Sequence, residues 1–144
     1  MTASLGIRIQ TIRGLRDMWD QLSAGAGMTC MMRGNLGDIL TAPGGQEAIL
    51  ALYAECRAVA AAAGYPSTPA YVEFVTKLYT TAGSPLKASM LRDIERGAAT
   101  EGEHVLGDLA TRARTLGIAT PILDLARIQL ATYEAARARE AAAG

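Results

Sequence analysis

Histidine occurs once in this sequence, at His104, so zinc sites of the HExxH kind and histidine clusters are excluded. Cysteine occurs twice, at Cys30 and Cys56, too few and too far apart for a metal-ligand pair or a disulfide framework. The expectation is two free thiols, buried as small apolar groups in a reducing compartment. Neither sign of charge is in excess. Fourteen basic and 14 acidic residues give a formal net charge of zero and a pI of about 6.6, which leaves no broad electrostatic footprint for nucleic acid or an anionic membrane. No apolar run approaches the roughly 18 residues of a membrane span. From Met1 to Arg13 apolar and polar residues alternate without the continuous apolar stretch of a secretory signal, so a cytoplasmic location is expected. Aromatic residues make up only 5%, and strand-like alternation and internal repeats are missing. The one glycine-rich candidate for a phosphate cradle, Gly25-Ala26-Gly27, lacks the third glycine of GxGxxG, a Walker lysine and a preceding strand.

What is present is the material of one helical domain. The 144 residues are 50% hydrophobic and rich in alanine, and a chain of this length buries roughly 68–70% of its unfolded surface without metal or disulfide staples. Zero net charge with a positive mean hydropathy (+0.15) favours self-association, because nothing repels a second copy. Apolar residues at Ile9, Ile12, Leu15, Met18, Trp19 and Leu22 follow a helical period that is expected to end or bend at Gly25 and Gly27. The glycines between Arg33 and Gly45 predict a loop with one short helical piece at Leu36 to Leu40. A helix over Gln46 to Ala63 is closed by Gly64, with Pro66 beyond it. Thr68 followed by Pro69 opens the next helix, to about Thr81, and a short one follows from Leu86 to about Glu95. Thr100 with Glu103 reads as a capping box for a helix to Leu116, and Thr120 with Pro121 opens the last helix, Ile122 to about Ala138. The tail from Ala135 is expected to be frayed or solvated. The fold class is therefore all-α, a compact bundle of about six helices in a single domain spanning 1–144.

Few residues suggest chemistry by themselves. His104, alone on a predicted helix, reads as an ordinary surface or core residue. Glu101 near a helix start is fully accounted for by the helix dipole, which favours a carboxylate there by roughly 0.3–1 kcal/mol. The same geometry is also compatible with Ser89 and Glu101 facing one cleft, although the helix-dipole reading is the better one from spacing alone.

The stretch Ser89 to Pro121, SMLRDIERGAATEGEHVLGDLATRARTLGIATP, resembles the C-terminal domain of ketopantoate reductases, which reduce 2-dehydropantoate to pantoate with NADPH. The matching positions include Ser89, Met90, Asp93, Gly97, Thr100, Glu101, Gly117, Thr120 and Pro121, and the likeness extends more weakly upstream through Trp19. It implies the helical fold of the 6-phosphogluconate dehydrogenase C-terminal type, with a role in substrate binding and dimer formation. It also implies that Ser89 binds substrate and that Glu101 is the active-site glutamate. The family's lysine lies two residues after a tryptophan. Here that segment reads Trp19-Asp20-Gln21-Leu22, so Gln21 stands at the lysine position, with Gly25 and Thr29 where two substrate-binding asparagines belong. Gln21 and Thr29 are thus substrate-binding candidates by position, and the general acid is replaced by an amide.

That replacement matters because hydride addition to a 2-keto acid builds negative charge on the carbonyl oxygen, which an ammonium stabilises and protonates. Losing general acid catalysis typically costs roughly 10²–10⁴-fold. Lys87, two residues before Ser89, is within reach of the cleft, but a solvated surface lysine is the better reading, since exposed lysine is the norm. Nothing before Trp19 supplies a strand or GxGxxG for NADP, so no cofactor is expected on this chain alone, and NADP only with a separate Rossmann partner. Three readings follow: an isolated, self-associating domain of the ketopantoate reductase type without activity of its own; one half of a split 2-keto acid oxidoreductase; or a helical interaction module. The partners expected are a second copy, with a dimer favoured, a Rossmann chain, and a small 2-keto or 2-hydroxy acid.

Overall fold

The computed structural model describes residues 23–144. Among these residues there is no strand, and the elements in chain order are helical: α1 (residues 23–32), α2 (Leu36–Thr41), α3 (Gly45–Ala62), α4 (Pro69–Tyr79), α5 (Ser89–Glu95), a π-helical turn (Glu103–Gly107), α6 (Asp108–Leu116) and α7 (Pro121–Ala143). The all-α expectation holds.

Helix α3 is the axis of the bundle and packs against α2, α4, α6 and α7. Its Ile49, Leu52, Tyr53, Cys56 and Val59 recur at helical spacing and are almost completely buried. They meet Met28 and Cys30 of α1, Leu109 of α6, and Leu123, Ala126 and Leu130 of α7 in one continuous core. Each such side chain is worth roughly 1.5–3 kcal/mol of apolar burial. Tyr53 and Tyr79 meet edge to face, with ring centroids 5.7 Å apart at 87°, an arrangement that joins α4 to α3.

Several helix boundaries lie where local chemistry puts them. The Tyr71 amide donates to the Thr68 hydroxyl at 3.2 Å, with Pro69 in the first turn. Helix α3 ends before Gly64, and the Tyr65 amide turns back to the Ala60 carbonyl at 2.9 Å. Helix α2 is the expected short piece, one residue longer, and is capped by Asn35, whose side chain accepts from the Asp38 amide at 2.8 Å.

Other boundaries differ from expectation. Helix α1 runs straight through Gly25 and Gly27 instead of ending there. Both positions are sites of close approach: a carbon added at Gly27 would lie 3.2 Å from both Ala126 and Leu52, and one at Gly25 would lie 3.1 Å from the Tyr79 hydroxyl. The capping box of Thr100 and Glu103 does not form. The Glu103 carboxylate instead pairs with Arg127 of α7 at 2.6 Å, and the chain takes the π-helical turn before α6. At Thr120 the hydroxyl bonds Asp124 at 3.2 Å, and the free amides of Ile122 and Leu123 are taken by the Glu55 carboxylate of α3, at 3.2 and 2.9 Å. The last helix also continues past the point where fraying was expected, to Ala143, as its run of alanines favours.

Both cysteines are free and buried, and desolvation pushes the Cys30 thiol up to about 12. Among the described residues no helix is long and apolar enough to cross a membrane, and no group of three or more His, Cys, Asp or Glu side chains is placed to hold a metal ion.

Candidate functional site

A cleft of about 230 Å³ opens where α1, the end of α4 and the start of α5 converge. Gly25, Ala26 and Thr29 form its α1 side, Tyr79 one wall, and Leu86, Lys87, Ala88 and Ser89 the facing strip. The approach of α1 is possible because Gly25 carries no side chain against Tyr79.

Thr29 is buried, and its hydroxyl is engaged on both sides. It donates to the Gly25 carbonyl at 2.8 Å and accepts from the Ala88 amide at 3.3 Å. That second bond joins residues 59 apart in sequence and fixes the backbone just before Ser89. Ser89 is exposed and is the first residue of α5. Ala88 is extended (φ −66°, ψ 147°), and its two neighbours, Lys87 and Ser89, both line the cleft. The Lys87 ammonium bonds both Glu95 oxygens, at 3.1 and 2.9 Å, with the two side chains 30% and 41% exposed. Lys87 is therefore neither buried nor simply solvated: it is paired at the cleft.

The structure brings Thr29 and Ser89 together, and Lys87 with them. Glu101 is exposed and is not among the residues lining this cleft. Gln21 and Trp19 lie outside the described residues.

Glu101 follows a turn that α7 clamps from three side chains. The Tyr133 hydroxyl donates to the Ala98 carbonyl at 2.8 Å, and Arg137 Nε donates to the Gly97 carbonyl at 2.9 Å. Glu134 accepts from both the amide and the hydroxyl of Thr100, at 2.8 and 3.0 Å. The Thr100 amide bond is the main reason the Glu134 carboxyl is held below its ordinary value of 4.5, with Arg137 and the Thr100 hydroxyl contributing. A carboxylate with a depressed folded value contributes stability that is present above the unfolded value and is lost as pH falls through the folded one. Thermal melting between pH 7 and pH 3 is accordingly expected to show a loss of stability below about pH 4.5 that Glu134→Gln reduces. An identical pH dependence in the variant would remove Glu134 from this account.

None of Glu95, Tyr133, Glu134 or Arg137 stood out in the sequence. The Lys87–Glu95 separation of eight residues matches no local helical pairing, and the α7 clamp reaches back 34 to 40 residues.

A dinucleotide needs a strand, a glycine-rich turn and a helix start facing its pyrophosphate. The described residues have no strand, and Gly25-Ala26-Gly27 lies inside α1, with Gly27 closed off by Ala126 and Leu52. These residues do not fit NADP. A larger hollow of about 460 Å³, between α1, α2 and the start of α3, is mostly apolar and contains neither Ser89 nor Glu101.

Comparison with known proteins places this geometry. The model of the family described as the ketopantoate reductase PanE/ApbA C terminal matches residues 15–134. The chain is 35% identical over 123 residues to the uncharacterized oxidoreductase YkpB of Bacillus subtilis (strain 168), covering 83% of this chain and 41% of that protein. In fold it is similar to the PanE/ApbA family ketopantoate reductase of Ralstonia eutropha JMP134, with a TM-score of 0.75 and 20% identity over 85% of this chain and 41% of that one. It is likewise similar to the dimeric ketopantoate reductase of Staphylococcus aureus, with a TM-score of 0.73 and 23% identity over 85% and 44% of the two chains. The chain thus spans about two-fifths of the length of these relatives.

Proposed function

The chain belongs to the ketopantoate reductase C-terminal family, and from that premise we propose that it is the substrate-binding, self-associating helical part of a reductase for a small 2-keto acid, inactive as these 144 residues by themselves. The observation that carries this reading is the convergence of Thr29, Lys87 and Ser89, from segments nearly 60 residues apart, on one small cleft.

Reduction of a 2-keto acid asks three things of such a surface: a grip on the carboxylate, a hydrogen-bond donor for the developing alkoxide, and a proton. Ser89 offers a hydroxyl at the cleft mouth, and Thr29 holds the strip that presents it. Glu101, by family resemblance the active-site glutamate, lies on a turn braced by α7. Gln21 stands at the family's lysine position, and its amide is a hydrogen-bond donor that is not an acid at neutral pH. NADP would supply the hydride from a Rossmann unit beyond the described residues, on a separate chain or in another part of the protein. Self-association draws support from the dimeric relative and from Leu125 and Ile128, both 58% exposed on α7. Two buried free thiols accord with a reducing, cytoplasmic compartment.

Purified as these 144 residues, the protein is expected to show no turnover of ketopantoate with NADPH above background, yet to bind pantoate with shifts in the amide signals of Ser89 and Thr29. Clear turnover would refute inactivity, and no binding of any 2-keto or 2-hydroxy acid would refute the substrate-binding role.

A further inference from the structure

Every wall of the Ser89 cleft except one is uncharged. Ala26, Tyr79, Leu86 and Ala88 supply apolar surface, Thr29 and Ser89 supply hydroxyls, and among the described residues the sole charged lining residue is Lys87. Its ammonium is occupied by the two oxygens of Glu95, in the two-point geometry a ligand carboxylate would use. Resting on the proposed function above, we infer that Lys87 is the specificity-determining residue of this cleft: it selects a small monocarboxylate, with Glu95 as the internal stand-in that the ligand displaces.

Three observations carry the exchange. First, with its side chains 30% and 41% exposed, the Lys87–Glu95 pair is partly solvated, and pairs of this kind are held weakly enough for an incoming carboxylate to replace one partner. Second, Lys87 and Ser89 both line this one small cleft, so one ligand reaches both: carboxylate to ammonium, 2-oxygen to hydroxyl. The Thr29 bond to the Ala88 amide keeps that spacing fixed. Third, the displaced Glu95 carboxylate remains close by, since it is anchored on α5. A second negative charge on the ligand would face it with no further cation lining the cleft among the described residues, which disfavours dicarboxylates. The cleft, at about 230 Å³, is below the roughly 300 Å³ at which pockets for drug-sized ligands begin, so the ligand is short.

The test is a binding titration of the full chain, followed by two-dimensional NMR, which reads millimolar affinities. The probes are pantoate, its neutral lactone and the dicarboxylate malate. Pantoate is expected to bind in preference to both others. Lys87→Met is expected to weaken pantoate binding about 10- to 100-fold, the range for a hydrogen-bonded charge. Lys87→Arg restores most of it, which separates loss of charge from loss of fold. Glu95→Gln is expected to tighten pantoate about 1.5- to 5-fold by removing the competitor. Equal pantoate binding by the wild type and Lys87→Met overturns this inference and leaves the substrate-binding role standing, as does weaker binding by Glu95→Gln. Absence of binding by the wild type overturns both.

Discussion

Gly45→Ala is expected to lower the melting temperature by roughly 10 °C, about 3 kcal/mol for a chain of this length, and to exceed the effect of the same change one residue earlier. The two neighbouring glycines fail for different reasons. Gly44 sits in the left-handed region at φ 83°, with nothing within 4 Å of an added carbon, so alanine there meets only the conformational penalty of roughly 1–2 kcal/mol. Gly45 is the first residue of α3 and has ordinary helical backbone, but an added carbon would coincide with the Ile39 carbonyl oxygen. That oxygen cannot retreat freely, because it accepts the Ala42 amide that closes α2, at 3.1 Å. Alanine at 45 must therefore part α2 from α3, beside the axis of the bundle. Thermal melts of the two variants decide the matter, and a Gly44→Ala protein as unstable as Gly45→Ala would remove the steric argument.

The second large effect is expected at Glu55. Its carboxylate occupies two of the amides at the start of α7, a 23-residue helix whose own Thr120 does not cap it. Glu55→Ala leaves the Ile122 and Leu123 amides without an acceptor in a half-buried setting, at a cost of about 1–3 kcal/mol. Glu55→Gln keeps an oxygen in place and loses mainly the helix-dipole interaction, about 0.3–1 kcal/mol. Urea midpoints at constant slope should therefore rank wild type, glutamine and alanine in descending order. Indistinguishable midpoints for the wild type and Glu55→Ala would mean that water serves these amides equally well.

These two positions show what kind of information the sequence carries. Thr68-Pro69, Gly64 and Asn35 are boundaries set by groups within a few residues of one another, and all are legible locally. Gly25 and Gly27 signal a helix end locally because glycine lowers helix propensity, while Tyr79, Leu52 and Ala126, which require its small size, are distant in sequence. The capping box at Thr100 failed for the same reason: Glu134, 34 residues on, competes for the threonine, and Arg127 takes Glu103. Ser89 and Thr29 are site candidates by family resemblance, and spacing alone does not bring them together. The partner of Lys87 has no sequence signal at all, since an eight-residue separation that spans the start of a helix follows no period.

The bond from Thr29 to Ala88 and the clamp of α7 on residues 97–100 share a further consequence. Between these two anchors α5 is only seven residues long, well short of the roughly 12–15 at which a helix begins to hold its own in water. A peptide copied from this segment would not keep Ser89 and Lys87 side by side. Their arrangement is a loan from both anchors, so damage to the α7 clamp reaches the cleft without touching any residue that lines it.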